Sequence, residues 1–135
     1  MRHYEIIKIK EDGKVTIPLE FAYEVGLLKD AYFLVEIDTD LKELHLERVA
    51  LPGKKLVEIE LVVEDKPGVL AKISGVLGRN RANILFSEAE ELEGIGLAAI
   101  IAVIDVSEMK IGLEELKAEL ENVEEVKEIT LKALE

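Results

Sequence analysis

Val63-Glu64-Asp65-Lys66-Pro67-Gly68-Val69-Leu70 holds a strand end, a tight turn and a helix start in one short stretch. Before it, Val57, Ile59, Leu61 and Val63 alternate with Glu58, Glu60, Val62 and Glu64, the period of two of a strand with one face on a core. After it, Val69, Leu70, Ile73, Val76 and Leu77 recur three and four apart, the stripe of a helix lying on a sheet. Asp65 is placed to cap the helix, and Pro67 lacks only an N–H that a first helical position leaves unpaired. The helix is therefore predicted from Pro67 to about Gly78-Arg79-Asn80.

Downstream, Arg81-Ala82-Asn83-Ile84 opens a second strand, Asn83 to Ser87, followed by the acidic stretch Glu88 to Gly94. Leu97 to Ile104 is apolar on both faces, which suits a central strand covered on both sides. Ser107 to Leu120 is predicted to be a helix with Leu113, Leu116 and Leu120 inward, and Val123, Val126, Ile129 and Leu131 belong to a last strand. Glu121 to Glu128 reads as a solvated acidic face. The order strand, helix, two strands, helix, strand, with its Asp-Lys-Pro-Gly turn and the later Asn83-Ile84, resembles the ACT domain, a βαββαβ module of ferredoxin-like fold.

That resemblance implies a small-molecule site, for an amino acid or related metabolite, where two such domains pair. The turn of one copy (Asp65, Lys66, Gly68, Val69, Leu70) would meet the second strand of the other (Asn83, Ile84). Asp65 would receive the ligand's ammonium, Gly68 would let backbone approach closely, and Asn83 would clamp the ligand through its amide. Val63 departs from the amino-acid-binding members that carry a polar ring there, so the ligand's identity stays open. Read without the resemblance, Asp65 is a helix cap worth about 1 kcal/mol, Asn83 a turn residue and Gly68 a structural glycine.

The chain has 135 residues, a formal charge of −12 and no cysteine, which excludes a disulfide framework and a thiolate metal site. His3 and His45 stand alone and make poor metal ligands. No phosphate loop, dinucleotide fingerprint or nucleophile–base pair is present, so neither an enzyme nor a cofactor is expected. The apolar run Ile95 to Ile104 is too short to span a bilayer and the N-terminus lacks a secretory apolar region, so the expected location is cytoplasmic, away from membranes. Seven basic side chains face eleven acidic ones up to residue 50, and ten face eighteen after it, so the N-terminal part is the less acidic.

In that part Glu5 to Lys10 reads as a strand, Glu11-Asp12-Gly13 as a turn and Lys14 to Pro18 as a return strand. A short helix over Leu19 to Val25 ends at Gly26. A second hairpin is predicted from Tyr32 to Ile37 and Leu41 to Leu46 across Asp38-Thr39-Asp40. Gly13-Lys14-Val15-Thr16-Ile17-Pro18, followed by Val25-Gly26-Leu27 and that second hairpin, resembles the AbrB/SpoVT swapped-hairpin family. This implies a dimer of interleaved hairpins closing a small β-barrel, with Arg2, Lys8, Lys10 and Lys14 as DNA contacts. DNA-binding relatives often carry arginines on the helix, where this chain has Glu20 and Glu24. On their own, exposed hairpin lysines are also ordinary edge-protecting residues.

The expectation is thus an α+β chain: a swapped-hairpin domain over residues 1–50, a Pro-Gly linker over 51–56 and an ACT-like domain over 57–135. Its expected role is that of a dimer, or higher even oligomer, sensing an amino-acid effector and regulating transcription at DNA. The alternative is a regulatory or assembly protein that binds a partner protein and uses its N-terminal domain only to dimerise.

Overall fold

The computed structural model describes residues 1–135 and separates into two compact units, Met1–Gly53 and Lys54–Glu135. The second unit holds the main core. Strand β3 (Leu56–Glu64) buries Val57, Ile59, Leu61 and Val63 on one face, as their alternation predicts. Helices α2 (Val69–Arg79) and α3 (Leu113–Glu121) lay Val69, Ile73, Val76, Leu77, Leu116 and Leu120 onto that face, joined by Ile100, Ala102 and Ile104. These last belong to β5 (Leu97–Asp105), which pairs with both β3 and β4 (Asn83–Leu92). With β6 (Val126–Ala133) the antiparallel sheet runs β4-β5-β3-β6, the ferredoxin-like arrangement of a βαββαβ chain. The strand predicted to be central is therefore central, and β4 is an edge strand.

Four boundaries in this unit differ from the sequence reading, the plainest being the last strand, which starts at Val126 and leaves Val123 in the turn after α3. Helix α2 begins at Val69 rather than Pro67, because Pro67 and Gly68 are the two inner residues of a turn closed by the Val69 N–H on the Lys66 carbonyl at 3.4 Å. Gly68 has φ 88° and ψ −12°, the second inner position of a type II turn, which glycine adopts without strain. No side chain caps α2, so Asp65 is not the helix cap; its N–H goes to the Gly96 carbonyl at 2.9 Å instead. Because a Cβ at Gly68 would meet nothing within 4 Å, Gly68→Ala is expected to cost only the backbone strain. That is about 1 kcal/mol, read as a lower denaturation midpoint with ligand-independent fold content unchanged.

Helix α3 starts at Leu113, not Ser107. Asp105 Oδ1 accepts both the Ser107 N–H, at 2.9 Å, and the Ser107 hydroxyl, while Ser107 Oγ accepts the Lys55 N–H at 2.9 Å. Such local side-chain bonds compete with helix formation. Strand β4, finally, continues through the acidic Glu88–Glu91 to Leu92, because its partner β5 stays extended opposite it.

In the first unit helix α1 (Leu19–Val25) ends at Gly26, φ 73°, a left-handed conformation that suits glycine, and a Cβ there would have to push the Arg48 side chain aside. Strands β1 (Tyr32–Asp38) and β2 (Glu43–Ala50) form the second hairpin. Asp38 Oδ1 accepts the N–H groups of Asp40 and Leu41 and draws residues 39–42 into the turn, so β2 starts two residues later than predicted. The first hairpin is corrected more deeply. Its turn forms, with Gly13 at φ 77° and the Lys14 N–H on the Glu11 carbonyl, but residues 1–18 contain no strand. Ile6 is fully exposed and Ile9 and Val15 are half exposed, so a ladder here would have nothing in its own chain to bury its apolar side chains against, and a lone hairpin is at best marginal in water. The predicted barrel is correspondingly not closed within one chain.

Candidate functional site

The turn after β3 lies at one end of the sheet. Glu64 pairs with Leu97, and Leu97 with Leu92, so the Asp65 turn shares this end with the β4–β5 hairpin turn. Asp65, Lys66, Gly68 and Leu70 are exposed there, Leu70 by 55%, whereas Val69 points into the core. Asn83 and Ile84, also exposed, begin β4 at the opposite end, where Asn83 pairs with Asp105 and Asp105 with Leu56. Eight residue steps along β5 separate the two ends, about 26 Å. Within one chain the two halves of the predicted site are therefore not brought together.

The turn end carries a charge cluster that the sequence reading missed. Glu125, read there as part of a solvated acidic face, is buried. Both its carboxylate oxygens accept from Lys72 Nζ, at 2.5 and 2.9 Å, tying α2 to the start of β6. The Glu125 carbonyl also accepts the Glu64 N–H at 2.8 Å. Glu64 in turn lies 3.4 Å from Lys66 and 3.6 Å from Lys127. The hydrogen bond from Lys72 holds the Glu125 carboxyl below the usual glutamate range, and the same bond raises Lys72. No sequence signal marks this pair, because the fold alone brings its members together.

The pair has a consequence for acid stability. A carboxyl depressed in the folded state contributes fully above its unfolded value and loses that contribution as pH falls through the folded one. Thermal midpoints are thus expected to fall on acidification below the ordinary glutamate range, and Glu125→Gln should flatten that part of the profile. An unchanged slope in Glu125→Gln would mean other carboxylates carry it.

Arg2, Lys8, Lys10 and Lys14 are all exposed on the unladdered segment of the first unit, and Lys14 Nζ is engaged by Glu11 at 3.0 Å. His3 lies over the Phe21 ring, centroids 5.0 Å apart, with Glu24 at 3.7 Å. No group of three or more His, Cys, Asp or Glu is arranged to hold a metal, and no helix is long and apolar enough to cross a membrane.

Comparison with known proteins agrees with this architecture. The ACT domain family matches residues 57–125. A UPF0735 ACT domain-containing protein of Heliobacterium modesticaldum is 31% identical over 120 residues, covering 88% of this chain and 75% of that one. A protein of the same description from Caldicellulosiruptor saccharolyticus is 29% identical over 130 residues, covering 94% and 82%. Among solved structures, a formyltetrahydrofolate deformylase from Pseudomonas syringae superposes with a TM-score of 0.54 at 14% identity, over 60% of this chain and 28% of that one, a likeness of fold alone. The match over residues 57–125, the βαββαβ order and the relatives that share the family together place this chain in the ACT domain family.

Proposed function

We propose that the chain acts as a homodimeric regulator whose ACT domain senses an amino acid or related small metabolite at the seam between two copies. The observation that carries this reading is the placement of Asn83 on the free edge strand β4, a full strand length away from the Asp65 turn. Antiparallel pairing of two β4 edges about a two-fold axis at Ser87, which would then face the partner's Ser87, would set the partner's Asn83 near Glu90 and Glu91, toward the Asp65 end. Like charges would not meet head-on, since Glu88 would face the partner's Phe86. Three strand spacings, about 14 Å across the sheet, would then lie between Asp65 and the partner's Asn83. Less the reach of two short side chains, that leaves room for a free amino acid.

Calorimetric titration with each of the protein amino acids tests the reading. Heat from one or a few, lost in Asp65→Ala and in Asn83→Ala, would support it; no heat across the panel would shift the weight to a dimerisation module that binds a partner protein.

A second copy would also explain the first unit. Its only buried apolar side chains are Ala22 and Ala50, while Tyr4, Ile6, Leu19, Tyr23, Ile37 and Leu44 are exposed, and so small a unit without a core needs another chain to complete it. Interleaved hairpins would give residues 1–18 the strands they lack, and would double Arg2, Lys8, Lys10 and Lys14 into a surface for DNA. The overall charge of −12, with Glu20 and Glu24 on α1, favours instead a partner protein as the recipient of the signal. Anisotropy titrations against genomic fragments at two salt concentrations separate the two. DNA binding through phosphate contacts must weaken steeply as salt rises, and no binding at low salt would exclude DNA.

A further inference from the structure

The sheet face turned away from α2 and α3 is patterned in columns. Along β5, Leu97, Ala99, Ile101 and Val103 form an uninterrupted apolar stripe, with Ile101 40% exposed. On one side β4 sets Glu90 opposite Ala99 and Glu88 opposite Ile101. On the other, β3 sets Glu60 opposite Ile101 and Glu58 opposite Val103. None of these four glutamates is held in an ion pair; the lysines nearest the turn are taken by Glu64 and Glu125, and the cation that does border the face is Lys132, on β6 opposite Glu58. Burial on the helix face explains why β5 alternates with Ile100, Ala102 and Ile104. It does not explain an equally apolar second side on an exposed face.

We propose that this open face docks a cationic amphipathic segment of a partner protein, its apolar side on the β5 stripe and its lysines or arginines over the two acidic columns. The dimensions match: six residue steps from Leu97 to Val103 span about 20 Å, the length of a helix of roughly 13 residues. The columns stand one strand spacing, about 4.8 Å, to either side, where basic residues flanking a helical apolar stripe fall. Charge selects the occupant. A second copy stacked face to face would bring both sets of unpaired carboxylates together, and nucleic acid or an anionic lipid surface would be repelled by them. This goes beyond the amino-acid site, which lies at the strand ends and the sheet edge rather than on the face.

The test uses the full-length chain and a fluorescein-labelled Leu/Lys amphipathic helical peptide of about four turns, followed by anisotropy, with the matching Leu/Glu peptide as control. The expected result is saturable binding of the Leu/Lys peptide, weakened by salt, and none of the Leu/Glu peptide. Ile101→Gln and, separately, Glu58→Gln/Glu60→Gln should each weaken binding by about tenfold. Glu114→Gln/Glu115→Gln, which removes the same charge from the exposed side of α3, should leave it within about twofold. The carboxamide pair keeps the strand shape should Ile101→Gln fail to fold. Absence of binding, or equal loss in the face and helix variants, would overturn the proposal. So would a sedimentation mass that drops in the folded Glu58→Gln/Glu60→Gln or Ile101→Gln protein, which would assign the face to a second copy.

Discussion

Leu116→Ala is expected to lower the unfolding free energy of the ACT domain by about 3 kcal/mol, and its thermal midpoint by roughly 15 °C. Leu116 is completely buried, as is Leu120 one turn later on α3, and both close the core over Ile59 and Ile104. Deleting three carbons there removes their transfer free energy and leaves a cavity that a sheet pinned by β3 between β5 and β6 cannot collapse into. Leu70→Ala deletes the same atoms from α2, but Leu70 is more than half exposed, so its cost should stay within about 0.5 kcal/mol. Circular dichroism during urea denaturation, at one fixed chain concentration because association adds to stability, measures both. Similar costs for the two variants would mean that α3 does not pack on the sheet as described.

The contrast between these two leucines shows where the sequence could be read. Val57, Ile59, Leu61 and Val63 alternate because one face of β3 is buried, and Leu113, Leu116 and Leu120 repeat because one stripe of α3 is, so the succession of strands and helices along the chain was legible. The ends of the helices were not. Pro67 suits a helix start and a type II turn equally, and only the positive φ of Gly68 decides between them. Ser107 would extend α3 were its hydrogen bonds not drawn to Asp105. Burial of Glu125 was illegible for another reason: its partner Lys72 is 53 residues away, and the acidic run around it looks solvated. In the first unit the Gly13 turn and the Gly26 stop could be seen, whereas the ladder expected on either side of Gly13 depends on apolar contacts that one chain does not supply. The candidate site divides the same way. Asp65 and Asn83 stand out as residues, but their separation by the length of a strand follows only from the register.

That separation makes a sharp prediction about binding. With a site shared between copies, Asp65→Ala and Asn83→Ala should each weaken amino-acid binding by tenfold or more, since each charge-assisted hydrogen bond to the ligand is worth roughly 1.5–3 kcal/mol. Mixing the two weakened proteins under conditions that let dimers exchange should restore it in part. In a two-fold dimer every site takes Asp65 from one chain and Asn83 from the other. A mixed dimer therefore has one site with both native residues and one with neither. At equal proportions half of the dimers are mixed, so about a quarter of all sites regain native composition, and calorimetry should find that stoichiometry at the native affinity. A site contained within one chain would behave differently, because every chain in the mixture still lacks one of the two residues and no recombination could restore it. Recovery thus distinguishes the shared seam from a self-contained pocket. Failure of exchanged dimers to recover any binding would remove the β4 pairing from the mechanism, even if Asp65 and Asn83 both proved necessary.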